Sequence, residues 1–86
     1  MKYRAEIDVM PQDALLDPQG KAVTQGLKNM GLSEVEDVRI GRHIRVFIEA
    51  GSKDEAIEKT KTACDKLLVN HVMEQYTFSV FEVEMA

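Results

Sequence analysis

Tryptophan is absent from this 86-residue chain, and aromatic residues make up only 6% of it. Cohesion therefore falls to aliphatic packing, and a chain of this length buries only about 60–65% of its unfolded surface. One small domain, residues 1–86, is expected, with a thin core that oligomerisation would help. Cys64 stands alone, which excludes an internal disulfide and fits a reducing cytoplasm. No basic run is present and the net charge is −4, so binding of nucleic acid through its phosphates is not expected. Long apolar runs are missing too. Met1-Lys2-Tyr3-Arg4 leads straight into alternating charges, so neither a signal peptide nor a membrane span is expected.

What is present is periodic. Lys2 to Met10 alternates, with Tyr3, Ala5, Ile7 and Val9 on one face and Lys2, Arg4, Glu6 and Asp8 on the other. That is a strand covered on one side, ended by Pro11 and followed by a loop over residues 11–16. Asp17 is a good N-cap and Pro18 suits the first helical position, so a helix is expected from Pro18 to about Met30. Its apolar stripe is Ala22, Val23, Leu27 and Met30, with Gly26 on the same face, and Gly31 closes it. Gly20 sits awkwardly near the start. Glycine there costs up to about 1 kcal/mol against alanine, which points to something close to the backbone, either a strand of this chain or a partner protein.

Val35–Ile40 and Ile44–Ala50 read as two strands. A three-residue connection, Gly41-Arg42-His43, pairs Ile40 with Ile44 and Val38 with Val46 and keeps the apolar residues on one face. This predicts an unusual backbone conformation at or beside Gly41, with Arg42 and His43 presented at the tip. Ser52-Lys53-Asp54-Glu55 is a capping box that opens a second helix to about Val69. Ala56, Ile57, Ala63, Cys64, Leu67 and Leu68 form its buried stripe, with Thr60 between them, and Asn70 stops it. The last strand, Glu74–Glu84, puts Tyr76, Phe78 and Val80 on one face. Phe81 and Val83 emerge on the other, which suggests cover by a second subunit. The order is β-α-β-β-α-β. It predicts an α+β, ferredoxin-like two-layer sandwich, with two helices on one face of a four-stranded antiparallel sheet. The other face, with Lys2, Arg4, Arg45, Phe47 and Phe81, is left to solvent or an interface.

Catalytic patterns are missing. Cys64 lies on an apolar stripe, as a buried thiol does. His43 and His71 have no carboxylate or cysteine at metal-ligand spacing. Glu34, Glu36 and Asp37 fit a solvated face, and no glycine-rich phosphate loop is present. The residues point to a binding or structural domain.

Three stretches carry a resemblance. Leu16-Asp17-Pro18-Gln19-Gly20-Lys21-Ala22-Val23, Asp37-Val38-Arg39-Ile40-Gly41-Arg42, and Cys64-Asp65-Lys66-Leu67-Leu68-Val69-Asn70 with Tyr76 resemble the PurS family. PurS is the small subunit of phosphoribosylformylglycinamidine synthase. The likeness covers nearly the whole chain, and the first stretch is the specific one. His71 departs from it, since the family typically has proline after the asparagine, and the tail Val83-Glu84-Met85-Ala86 extends past the usual end.

The resemblance implies a cytoplasmic, non-catalytic subunit in purine biosynthesis. It would form a homodimer or tetramer and bridge a synthetase (PurL-like) and a glutaminase (PurQ-like) subunit in support of ammonia transfer. The complex converts formylglycinamide ribonucleotide to formylglycinamidine ribonucleotide. ATP, Mg and glutamine are used by the partner subunits, and this chain binds no cofactor or metal. The candidate interface residues are Asp17, Gln19, Gly20 and Lys21 as one contact, Arg42 and His43 as another, and Phe81 and Val83 on the strand. The rival reading is a regulatory βαββαβ module for a small ligand, which needs a glycine-bearing loop after the first strand, where Pro11-Gln12-Asp13-Ala14-Leu15-Leu16 has none. An acylphosphatase-like enzyme lacks its phosphate loop, and an RNA-binding sheet lacks its paired aromatics.

Overall fold

A computed structural model of the chain describes residues 1–13 and 17–83. Strand β1 spans Lys2–Pro11, helix α1 Pro18–Asn29, strand β2 Arg42–Glu49, helix α2 Lys53–Ala63 and strand β3 Glu74–Val83. A π-helical turn, Cys64–Leu68, continues α2. The sheet is antiparallel in the order β2-β1-β3, with β1 in the middle.

The alternation in β1 sets the two faces. Tyr3, Ala5, Ile7 and Val9 are all buried, and their cross-strand partners Ile48, Val46 and Ile44 on β2 and Val80, Phe78 and Tyr76 on β3 share their face. Ala56 and Thr60 of α2 and Cys64 of the π turn close this side. Ser52 caps α2 by accepting from the Glu55 amide at 3.2 Å, and Glu55 reaches back to the Gly51 amide at 3.0 Å.

Four expectations are corrected. The sheet has three strands, not four, because 35–40 is not part of it. The backbone there is engaged elsewhere: the Ile40 amide donates to Asp17 Oδ2 at 3.0 Å, and the Val38 carbonyl packs against Gly20. No hairpin forms at Gly41-Arg42-His43 either. Arg42 and His43 already belong to β2, opposite Val9 and Asp8, and among the described residues only Gly31 has a positive φ, at 98°. Gly41 is required for space, since a Cβ there would strike the Val9 carbonyl and the Met10 sulfur.

The third correction concerns α1. Its caps form as read, with Asp17 Oδ1 accepting from the Gly20 amide at 3.0 Å and Lys28 in the last turn. Its stripe is nevertheless uncovered: Ala22, Val23 and Gly26 are exposed, Leu27 is half-buried and Met30 is 79% exposed. The helix starts beyond the end of the sheet, tied to 38–40, and does not lie over it. The 51 Å long axis exceeds the roughly 33 Å of a ten-residue strand. The radius of gyration, 16.9 Å, exceeds the roughly 12 Å of a compact chain of this length.

Fourth, the widened turn after Ala63 rotates Leu67 off the buried stripe, leaving it 84% exposed, while Leu68 and Ala63 stay half-buried. Asn70 then turns the chain, its side chain accepting from the Val72 amide at 3.1 Å. Leu16, residues 14–16 of the loop and 84–86 of the tail lie outside the described residues.

Candidate functional site

Asp17 is the knot of the first candidate region. One carboxylate oxygen takes the Gly20 amide and the other the Ile40 amide, so a single side chain caps α1 and fastens it to 38–40. These amides, Ile40 first, hold its pKa below the usual carboxylate value. Gly20 is buried, and a Cβ there would collide with the Val38 carbonyl. The close neighbour is therefore a segment of this chain, one of the two alternatives that the sequence left open. Gln19 and Lys21 point outward and are exposed.

Arg42 and His43 are adjacent in sequence but serve opposite faces. Arg42 shares the side of Val9 and is held by Glu74 at both oxygens, with Nη2 also donating to the Leu68 carbonyl at 2.6 Å. Glu74, which Arg42 holds ionised below its usual range, also accepts from the Asn70 amide at 2.9 Å. This clamp joins the start of β2 to the end of the π turn and the start of β3. The sequence reading missed Glu74 because it placed Arg42 in a turn; the signal was its two-residue phase with Ile44 and Val46.

Gln19 and Arg42 meet in one place. With Pro11, Ile40, Gly41 and Glu74 they line an open recess of about 250 Å³ where the start of α1 meets the sheet. Thus Arg42 groups with the Asp17 region, and the expected Arg42–His43 contact is divided between two surfaces.

His43 belongs to the outer face of the sheet. Its ring nitrogens lie 2.6 Å from Asp8 Oδ1 and 2.5 Å from Glu6 Oε2, and Arg45 Nε donates to Glu6 at 2.5 Å. Asp8 and then Glu6 raise the His43 pKa above the ordinary histidine value, while Arg45 and His43 lower that of Glu6. Farther along, Arg4 stacks over Phe81 with its guanidinium 5.1 Å from the ring centre, and Phe47 lies opposite Arg4 on β2, 58% exposed. Phe81 is also exposed and Val83 half-buried. His43, Phe81 and Val83 thus share a face from which Gln19 and Arg42 are absent.

Cys64 is buried, and that burial pushes its thiol pKa up, the opposite of an activated nucleophile. Among the described residues no three His, Cys, Asp or Glu side chains gather as a metal site, and no helix is long and apolar enough to cross a membrane.

Comparison with known proteins adds to this geometry. The family model PurS, described as phosphoribosylformylglycinamidine (FGAM) synthase, matches residues 4–82. The phosphoribosylformylglycinamidine synthase subunit PurS of Bacillus subtilis (strain 168) is 41% identical over 81 residues, covering 94% of this chain and 95% of its own. Its counterpart from Synechocystis is 39% identical over 84 residues, covering 98% and 84%. A chain in the solved structure of PurLQS from Thermotoga maritima superposes with a TM-score of 0.85 at 32% identity, covering 94% of this chain and 99% of that one.

Proposed function

The chain belongs to the PurS family of phosphoribosylformylglycinamidine synthase subunits, and from that premise we propose that it is the non-catalytic bridge of its complex. It joins a PurL-like synthetase to a PurQ-like glutaminase, self-associates as a dimer or tetramer, and works in the cytoplasm. The observation that carries this reading is the near-full-length likeness to a chain of the Thermotoga maritima PurLQS assembly.

The chemistry of the reaction suits a subunit without its own acid, base or nucleophile. Ammonia released from glutamine must reach the activated amide of formylglycinamide ribonucleotide before it is protonated or lost to water. A subunit that aligns and seals the junction contributes by excluding water. ATP, Mg and glutamine are handled by the other two subunits, and this chain binds none of them. Two surfaces serve as contacts. Gln19 and Lys21 stand beside the Arg42 recess on one, with Asp17 and Gly20 holding the backbone beneath them. His43, Phe81 and Val83 on the outer sheet face form the other.

Reconstitution tests the reading. With the synthetase and glutaminase subunits present, omitting this chain should abolish glutamine-dependent amidine formation and spare the ammonia-dependent reaction. Unchanged glutamine-dependent activity would remove the bridging role. Replacing Gln19 and Lys21 by alanine should weaken assembly without unfolding the chain; unchanged affinity would reduce that patch to capping and packing.

A further inference from the structure

β3 is an edge strand without the features that normally keep an edge closed. Among the described residues no strand lies on its far side, and its register on β1 runs unbroken from Glu74 to Val83, with no bulge. Natural edges are blunted by proline, bulges, short length or charge, lysine above all. β3 is ten residues long with neither proline nor glycine, and residues 75–81 carry no charge. Tyr76, Thr77, Phe78, Val80 and Phe81 among them are strong strand formers. Such an edge offers a row of open amides and carbonyls to an extended segment of another chain.

A socket lies beside this edge. The cross-strand pairs Asp8–Thr77 and Met10–Gln75 sit on the outer face and, with Tyr76, line an open recess of about 220 Å³. Its lining combines the apolar Met10 with an acid, Asp8, which gives Oδ1 to His43 and is itself exposed. A strand added beside β3 stands about 10 Å from β1, two strand spacings away. A lysine or arginine on it, opposite Thr77, spans that gap with its stem on Met10 and its charge at Asp8.

We infer that β3 accepts along its open edge an extended segment of a partner subunit, one that alternates apolar and polar residues and carries a lysine or arginine opposite Thr77. The apolar positions cover Tyr76 and Phe78, which are only half-buried on the inner face. The basic side chain enters the recess. The inference deepens the reading of the chain as a bridge and rests on it for the existence of a partner subunit. A second β3 suits the edge less well, because it has no lysine or arginine to place in the recess.

Hydrogen exchange tests this on the full chain, alone and with the PurL-like and PurQ-like subunits added singly and together. Alone, the β3 amides that face away from β1 should exchange fast at every protein concentration. Binding of the partner that fills the edge should slow them by about 100-fold or more. Binding that leaves them fast overturns the inference, while glutamine-dependent activity on the same samples still reports the bridge. Slowing that appears as this chain alone is concentrated assigns the edge to a second copy, which also overturns it. If neither subunit binds, the bridge and the inference fall together.

Thr77→Lys supplies the second arm. Thr77 is exposed, so the fold should survive, as circular dichroism would show. The new lysine blocks the edge and meets the incoming cation with like charge, so affinity for the partner should fall by about 10-fold or more. Thr77→Val, which keeps a strand former and adds no charge, should bind as the wild type does. Equal affinity of Thr77→Lys and wild type overturns the inference.

Discussion

The two helices of this chain are made alike and used differently. Each begins at a side-chain cap, Asp17 for α1 and Ser52 for α2, and each has apolar residues at helical spacing. α2 lies on the sheet and helps to bury Ile7, Val9 and Cys64, whereas α1 stands off the end of the sheet with its stripe in solvent. Caps and periodicity decide whether a helix forms and which side is apolar. They do not decide what covers it. That is set by where the helix is tethered, and α1 is tethered by backbone contacts at Gly20 and Ile40, away from the sheet face.

The widest gap between the two regions should appear on truncation. Ile7→Ala removes a fully buried side chain and should cost about 2–5 kcal/mol in denaturant unfolding. Met30→Ala on the arm should stay within about 0.5 kcal/mol in dilute solution. Equal costs would erase the distinction between packed body and uncovered arm. The glycines give a smaller contrast of opposite sign. Gly41→Ala drives a Cβ into the Val9 carbonyl and should destabilise by about 1–3 kcal/mol. Gly26→Ala, with nothing within 4 Å of the new Cβ, should raise helix content and stabilise α1 by up to about 1 kcal/mol in dilute solution, read by circular dichroism.

The least expected effect lies on the outer face and depends on pH. The His43 pKa is raised by Asp8 and Glu6 from 6.5, so the stability drawn from this pairing is complete below pH 6.5 and is lost as pH rises through the raised value. Denaturation midpoints across that range should therefore fall in the wild type and fall less in His43→Gln. Parallel curves would show that the pairing contributes nothing.

Much of this was legible in the residues, for physical reasons. β1 was readable because its period of two is enforced by one buried face, and the caps because Asp17 and Ser52 satisfy amides within three residues. The family was readable from the stretch through Asp17 and Gly20, where a close backbone approach demands glycine. The stretch 35–40 was misread because Val38 and Ile40 alternate like a strand while their backbone groups bind the start of α1. Arg42 and His43 were misread together, since charge beside a glycine resembles a turn, whereas Glu74, Glu6 and Asp8 turn both into sheet residues. Leu67 was lost to a π turn, which no residue pattern signals. The proposed contact residues were chosen by type, and their division between two faces required the register of β2 on β1.

Hydrogen exchange at high dilution tests the central claim, that α1 is a helix formed locally and left uncovered by its own sheet. Amides of α1 should exchange fast, while those of β1 and α2 stay protected. Protection of α1 equal to that of α2 would contradict it.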